Sequence, residues 1–228
     1  MSKNIFITGT GTDIGKTYVT GLIIKELAGA GRKSAYYKAA MSGNERNPDG
    51  TLIPGDGLWV KQTAGIGQPL KTMCPYVYEH PYSPHLASRI EGNPVHLNVV
   101  KSNFQKLCAE YEYVTVEGSG GILCPLRFDG QKIRLEDVIT ELGLSCLVVA
   151  DAGLGTINSV VLTVEYMRQR KIPVKGIIFN HYHPGNRLDE DNWVMCEYMT
   201  GLKVLAGVKA GDTKLDITQD ALEALYET

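Results

Sequence analysis

"KNIFITGTGTDIGKT" (residues 3–17) decides the fold. The β-rich run "KNIFIT" (3–8) leads without a break into a glycine turn. Gly15-Lys16-Thr17 then opens "GKTYVTGLIIKELAGAG" (15–31), where Val19, Leu22, Ile23 and Leu27 recur near helical spacing before a Gly-Ala-Gly stop. "KSAYYKAA" (33–40) is a second candidate strand. A strand, a glycine turn, a helix and a strand make one βαβ unit, which requires a parallel sheet. Working outward, "YVTVEG" (113–118), "SCLVVAD" (145–151) and "VKGIIFN" (174–180) are continuous apolar runs, as expected of strands covered on both faces. "TGLKVLAGV" (200–208) offers one more strand, and helices are expected over 156–170 and 217–226. The turn-rich residues 43–55 read as a surface loop. The whole is expected to form one α/β domain over residues 1–228, a parallel sheet flanked by helices on both faces.

Bulk properties exclude several classes. The 228 residues suffice for one large core, and 25 acidic against 23 basic side chains give a net charge of −2, so no nucleic-acid surface is indicated. No apolar run is long enough for a membrane span, and the amino-terminal run is too short for a signal peptide. The expected location is the cytoplasm. The five cysteines show no C-x-x-C pair and read as reduced thiols.

The glycine loop is the first candidate site. Its backbone N–H groups can turn inward around a phosphate, and the helix beginning near Gly15 points its positive end at the same place. Lys16 can reach terminal phosphate oxygens, and the Thr17 hydroxyl suits Mg²⁺. The usual spacing is G-x-x-x-x-G-K-[ST]; here five residues separate Gly9 from Gly15. Magnesium needs further oxygens. Glu117 ends a buried strand and opens "EGSGG" (117–121), where small residues permit close approach to a ligand. Asp56, in "PGDGL" (54–58), is either a second carboxylate or a turn aspartate. Asp13 either orients a substrate amine or braces the loop. Lys38 reads either as a lysine snorkelling from a strand end or as a second cation for a transferring phosphate. "DAGLGTINS" (151–159) has the form of an anion site without a lysine. In "YSPHLAS" (82–88), His85 is expected to pack. His181 and His183 lack the further ligands a zinc site needs.

Taken in order, "TGTGTDIGKT" (8–17), "YYKAAMSG" (36–43), "GD" (55–56), "SPHLA" (83–87), "VEGSGG" (116–121) and "GLGTIN" (153–158) resemble the dethiobiotin synthetase family over nearly the whole chain. That family's phosphate loop is itself one residue longer than usual. The resemblance implies a P-loop fold and an ATP-dependent ligase that joins 7,8-diaminononanoate and CO2 into a cyclic urea. The route runs through a carbamate and a carbamic–phosphoric anhydride. It implies Lys16, Lys38 and Thr12 as catalytic groups. The nucleotide would be held by Asp13, Ile14, Gly15, Lys16, Thr17, Tyr18, Asp56, Glu117, Gly118, Ser119, Gly120 and Asn180, the last reading adenine. Mg²⁺ would be held by Thr17, Asp56 and Glu117. Ser42 would contact the diamine, and Gly155, Thr156, Ile157, Asn158 and Tyr198 its distant carboxylate across a homodimer interface. The chain departs from the family's pattern at Ala39, Ser119, His181 and residues 207–211. Two other readings are a related ATP-dependent amide or carboxylate ligase, and a P-loop switch ATPase. Many such switches carry a signature lysine early in the loop, and residues 9–12 contain none.

Overall fold

A computed structural model describes residues 2–227. In chain order the elements are β1 (Lys3–Gly9), α1 (Lys16–Gly29), β2 (Ser34–Lys38), β3 (Ala40–Met41), α2 (Gly55–Ala64), β4 (Tyr76–Val77), α3 (Pro84–Ile90), α4 (Leu97–Glu110) and β5 (Tyr113–Glu117). There follow β6 (Pro125–Phe128), β7 (Lys132–Arg134), α5 (Leu135–Leu142), β8 (Cys146–Asp151), α6 (Thr156–Gln169), β9 (Val174–Asn180), α7 (Arg187–Thr200), β10 (Val204–Val208) and α8 (Gln219–Glu223). Six strands form one parallel sheet in the order β10-β9-β8-β1-β5-β2. β3 pairs with β4, and β6 with β7 in a small hairpin.

Alternation along β1 separates the two cores. Phe6 faces Val116, Val138 and Val148 on one side. Ile5 and Ile7 face Val19, Leu22 and Ile23 of α1 on the other. Successive side chains on a strand point to opposite faces, and both faces here are covered, which explains why the sheet strands read as unbroken apolar runs.

β2 is an edge strand, and the Gln68 side chain completes its outer side. The Tyr36 backbone N–H donates to Gln68 Oε1 at 2.8 Å, and Gln68 Nε2 donates to the Tyr36 carbonyl at 2.9 Å. One residue pair further on, the Lys38 N–H donates to the Met73 carbonyl. Residues 43–55 form a largely exposed excursion, as expected, braced by Arg46 on Glu79 and by an Asp49–Thr51 turn.

The expected helix over 217–226 is much shorter in the structure, Gln219–Glu223. Thr218 caps it through the Ala221 N–H, and beyond it Leu225 and Tyr226 turn into the core. Tyr226 hydrogen-bonds Thr115, and Glu227 pairs with the backbone of Asn4. Burial of those two side chains and the backbone pairing override the helical pattern.

Candidate active site

Parallel register brings the chemistry to the carboxyl end of the sheet, where open α/β sheets bind ligands. Lys38 at the end of β2 stands beside Glu117 at the end of β5, and Glu117 is in register with Ile7 of β1. The phosphate loop rises from the carboxyl end of β1. Gly15 takes φ 86°, and a Cβ there would lie 2.0 Å from Asn180 Nδ2. The position therefore needs glycine both for its left-handed backbone and for the close approach. Gly15 caps α1 without a side-chain hydrogen bond, which leaves the first N–H groups of the helix to face an anion.

A cavity of about 700 Å³ opens over this edge. Of the residues expected at the site, Thr12, Asp13, Gly15, Lys16, Thr17, Lys38, Ser42, Asp56, Glu117, Ser119 and Gly120 line it. The sequence reading missed Met41, Tyr82 and Cys124, which line it too. Tyr82 stood in a segment already noted for its proline turn. Met41 and Cys124 carry no signal of their own.

Two carboxylates converge on one ammonium. Lys38 Nζ lies 2.6 Å from Asp56 Oδ2 and 2.7 Å from Glu117 Oε1. The Thr17 hydroxyl donates to the same Glu117 Oε1 at 2.8 Å, and the Tyr36 phenol donates to Oε2 at 3.0 Å. Asp56 lies in the first turn of α2, so it is more than a turn aspartate. Lys16 Nζ folds back onto the Gly11 carbonyl at 2.7 Å. Burial, reinforced by the charge of Lys38, lowers the Lys16 pKa to about 8. Burial opposes the Lys38 charge, but Glu117 and Asp56 outweigh it and raise its pKa. Burial likewise pushes the Asp56 pKa up, and Lys38 more than offsets this, leaving it lowered. Burial raises the Cys124 thiol to about 11, so it is no nucleophile at neutral pH.

The donor set fits a hard divalent cation. Asp56 and Glu117 each present an oxygen to the Lys38 ammonium, and the Thr17 hydroxyl adjoins them through its bond to Glu117 Oε1. Among the described residues no group of three or more His, Cys, Asp or Glu side chains forms a metal cluster. Two carboxylates and a hydroxyl suit magnesium, which usually completes its shell with phosphate oxygens and water.

The remaining expected residues lie off the cavity. Ile14 and Tyr18 flank the loop, and the Tyr18 hydroxyl donates to the Asp212 carbonyl. Gly118 is held against Leu135 and Phe6, where a Cβ would sit 2.7 Å from Leu135 Cδ2; its smallness serves packing. Asn180, 2% exposed, donates from Nδ2 to the Ile14 carbonyl at 2.9 Å, and its Oδ1 is buried without a partner. His181 pairs with Asp151 at 2.6 Å. His85 bonds Ser83 and lies outside the cavity. Gly155 begins α6 at φ 91° without a side-chain cap, and Asn158 is exposed. Neither residues 155–158 nor Tyr198 lines the cavity. Tyr198 on α7 is 82% exposed and Leu154 92%.

A family model described as an AAA domain matches residues 3–212. Over all 228 residues the chain is 49% identical to the ATP-dependent dethiobiotin synthetase BioD of Brachyspira hyodysenteriae, the whole of which it covers. The chain belongs to the dethiobiotin synthetase family. A second member, from Clostridium perfringens strain 13, is 40% identical over 99% of both chains. Solved structures show the fold alone. The MinC:MinD cell division complex of Aquifex aeolicus superposes with a TM-score of 0.58 at 13% identity, covering 98% of this chain and 86% of that one. The cell division protein FtsY of Thermotoga maritima gives 0.55 at 14%, covering 99% and 68%. Dethiobiotin synthetase family membership and this P-loop architecture therefore agree with the parallel sheet and loop read from residues 3–40.

Proposed function

We propose that the protein uses ATP to carboxylate and cyclise 7,8-diaminononanoate with CO2, giving dethiobiotin, ADP and phosphate. The observation that carries this reading is the convergence of Lys16, Lys38, Thr17, Asp56 and Glu117 in one cavity. Nucleotide switches that use a second lysine carry it early in the loop, where residues 9–12 have none; here the second lysine, Lys38, comes from the end of β2. In the reaction one substrate amine takes up CO2 as a carbamate. A carbamate oxygen attacks the γ-phosphorus, and the second amine then closes the ring and expels phosphate. Lys16 cradles the β- and γ-phosphates with the α1 N-terminus. Lys38 remains a cation and holds carbamate and γ-phosphate in line, supplying the charge that phosphoryl transfer requires. Thr17, Asp56 and Glu117 would hold Mg²⁺, which neutralises phosphate oxygens when bound. Thr12 and Ser42 contact the diamine or carbamate. Asn180 offers an amide that can both donate and accept, suited to a nucleobase edge.

The distant carboxylate of the diamine is assigned to the α6 N-terminus at residues 155–158, with Tyr198 from a second copy of the chain. Exposed Leu154, Leu162, Val194 and Tyr198 on and beside α6 and α7 support a homodimer through this face. Among the described residues no helix is long and apolar enough to cross a membrane, which is consistent with a cytoplasmic enzyme. The test is to mix the protein with Mg-ATP, bicarbonate and 7,8-diaminononanoate and to omit each in turn. Dethiobiotin by mass spectrometry that depends on all of them is the expected result. ATP hydrolysis indifferent to the diamine overturns the reading.

A further inference from the structure

We infer that Tyr36 is a positioning residue for Glu117: its phenol holds Oε2, so that Oε1 is the oxygen turned to Thr17 and the cation site. The inference rests on the reading of Glu117 as a metal ligand. Three observations carry it. First, the two carboxylate oxygens have separate partners. Oε2 accepts from the Tyr36 hydroxyl at 3.0 Å, while Oε1 accepts from Thr17 at 2.8 Å and Lys38 at 2.7 Å. A carboxylate can only accept, so the phenol is the donor. Second, Tyr36 is itself fixed. Its side chain is wholly buried among Ile24, Val60 and Met73, and Gln68 grips both its backbone N–H and its carbonyl. Third, the neighbouring Tyr37 faces the opposite side of the sheet and spends its hydroxyl on the Val100 carbonyl, so strand alternation commits Tyr36 alone to Glu117.

A carboxylate with one free oxygen can rotate between one-oxygen and two-oxygen ligation. Capping Oε2 removes that freedom and aligns Oε1 before the metal arrives. Groups of this kind, one step behind a metal ligand, commonly change metal affinity about 10- to 100-fold when lost.

The experiment is Tyr36→Phe, which deletes one oxygen and leaves the ring. Mn²⁺ serves as the probe, titrated by electron paramagnetic resonance into protein saturated with the β,γ-imido analogue of ATP. The expected result is Mn²⁺ binding weaker by about tenfold or more, with a melting temperature within a few degrees of native. On a Glu117→Gln background the same substitution should produce no further loss. Mn²⁺ affinity within twofold of native, whatever happens to the melting temperature, overturns the inference and leaves the phenol as a satisfied core hydroxyl. A full additional loss on the Glu117→Gln background overturns it too, since Tyr36 would then act through another group. Native protein that binds no Mn²⁺ with the analogue overturns the metal reading itself, and the inference with it.

Discussion

Lys38 bonds both Asp56 and Glu117, the two carboxylates proposed to hold a divalent cation, and on that reading its removal has a double signature. Replacing it by methionine keeps the stem and deletes the charge. Asp56 and Glu117, both within 2.7 Å of the ammonium, are then left facing one another without a cation. Breaking a fully buried pair costs about 3–5 kcal/mol. The Asp56 side chain is 39% exposed while that of Glu117 is 0% exposed, so solvent relieves part of the cost and about 2–3 kcal/mol is expected. For a domain of this size that is a melting point lower by roughly 4–12 °C. Divalent metal should restore most of the loss, because the vacated carboxylates bind it without first displacing an ammonium. Metal affinity in the absence of nucleotide should rise about tenfold, or about 1.4 kcal/mol. Turnover should nevertheless fall roughly 10²-fold or more, as loss of an electrostatic stabiliser commonly does. Differential scanning fluorimetry with and without Mg²⁺, Mn²⁺ titration and a dethiobiotin assay read all three. Near-normal turnover would remove Lys38 from the mechanism. A melting point that drops but does not respond to Mg²⁺ would refute the idea that ammonium and metal share one seat.

The other predictions concern separate parts of the molecule. Gly15→Ala places a Cβ 2.0 Å from Asn180 Nδ2 at φ 86°, so it should cost about 1–2 kcal/mol in backbone strain alone and abolish nucleotide binding by calorimetry; retained binding would contradict the assigned loop geometry. Tyr198→Phe should raise KM for the diamine and leave ATP-analogue affinity unchanged; an unaltered KM would make Tyr198 a packing residue only. Glu223 bonds Arg32, Gln219 and Tyr113, and these bonds lower its pKa from 4.5 to about 2. A lowered carboxylate pKa stabilises the fold above its unfolded value and loses that effect as pH falls through the folded one. Glu223→Gln should therefore be less stable than native above pH 4.5, with the gap closing between about 4.5 and about 2; denaturant melts across that range check it.

The sequence carried the sheet's centre better than its margins. β1, β5, β8 and β9 are apolar runs ending in glycine or a polar residue, and their ends do meet along one edge. The helix α6 begins and ends within a residue of its expected bounds because a glycine turn and an apolar spacing both mark it. The hairpin β6–β7 has too few residues to show a period, and the longer α2, α4, α5 and α7 escaped notice as well. Asp56 stayed ambiguous because a "PGDG" segment suits a turn; its role depends on Lys38, eighteen positions earlier, which no local pattern reveals. Tyr36 was hidden in a different way. In "YYK" two adjacent aromatics look like ordinary strand filling, and only the pleat separates the one that reaches Glu117 from the one that reaches Val100.

The amide of Gln68 stands where a neighbouring strand would. An exposed strand border is a template for recruiting other chains, and β2, with two adjacent tyrosines at its centre, has such a border. Here the template is occupied by a side chain from the same molecule at Tyr36, and by the Met73 carbonyl two residues further on. Copies of this protein that meet along β2 find the Tyr36 and Lys38 positions already filled. One glutamine side chain thus closes a stretch of open sheet border as well as anchoring the segment that follows α2.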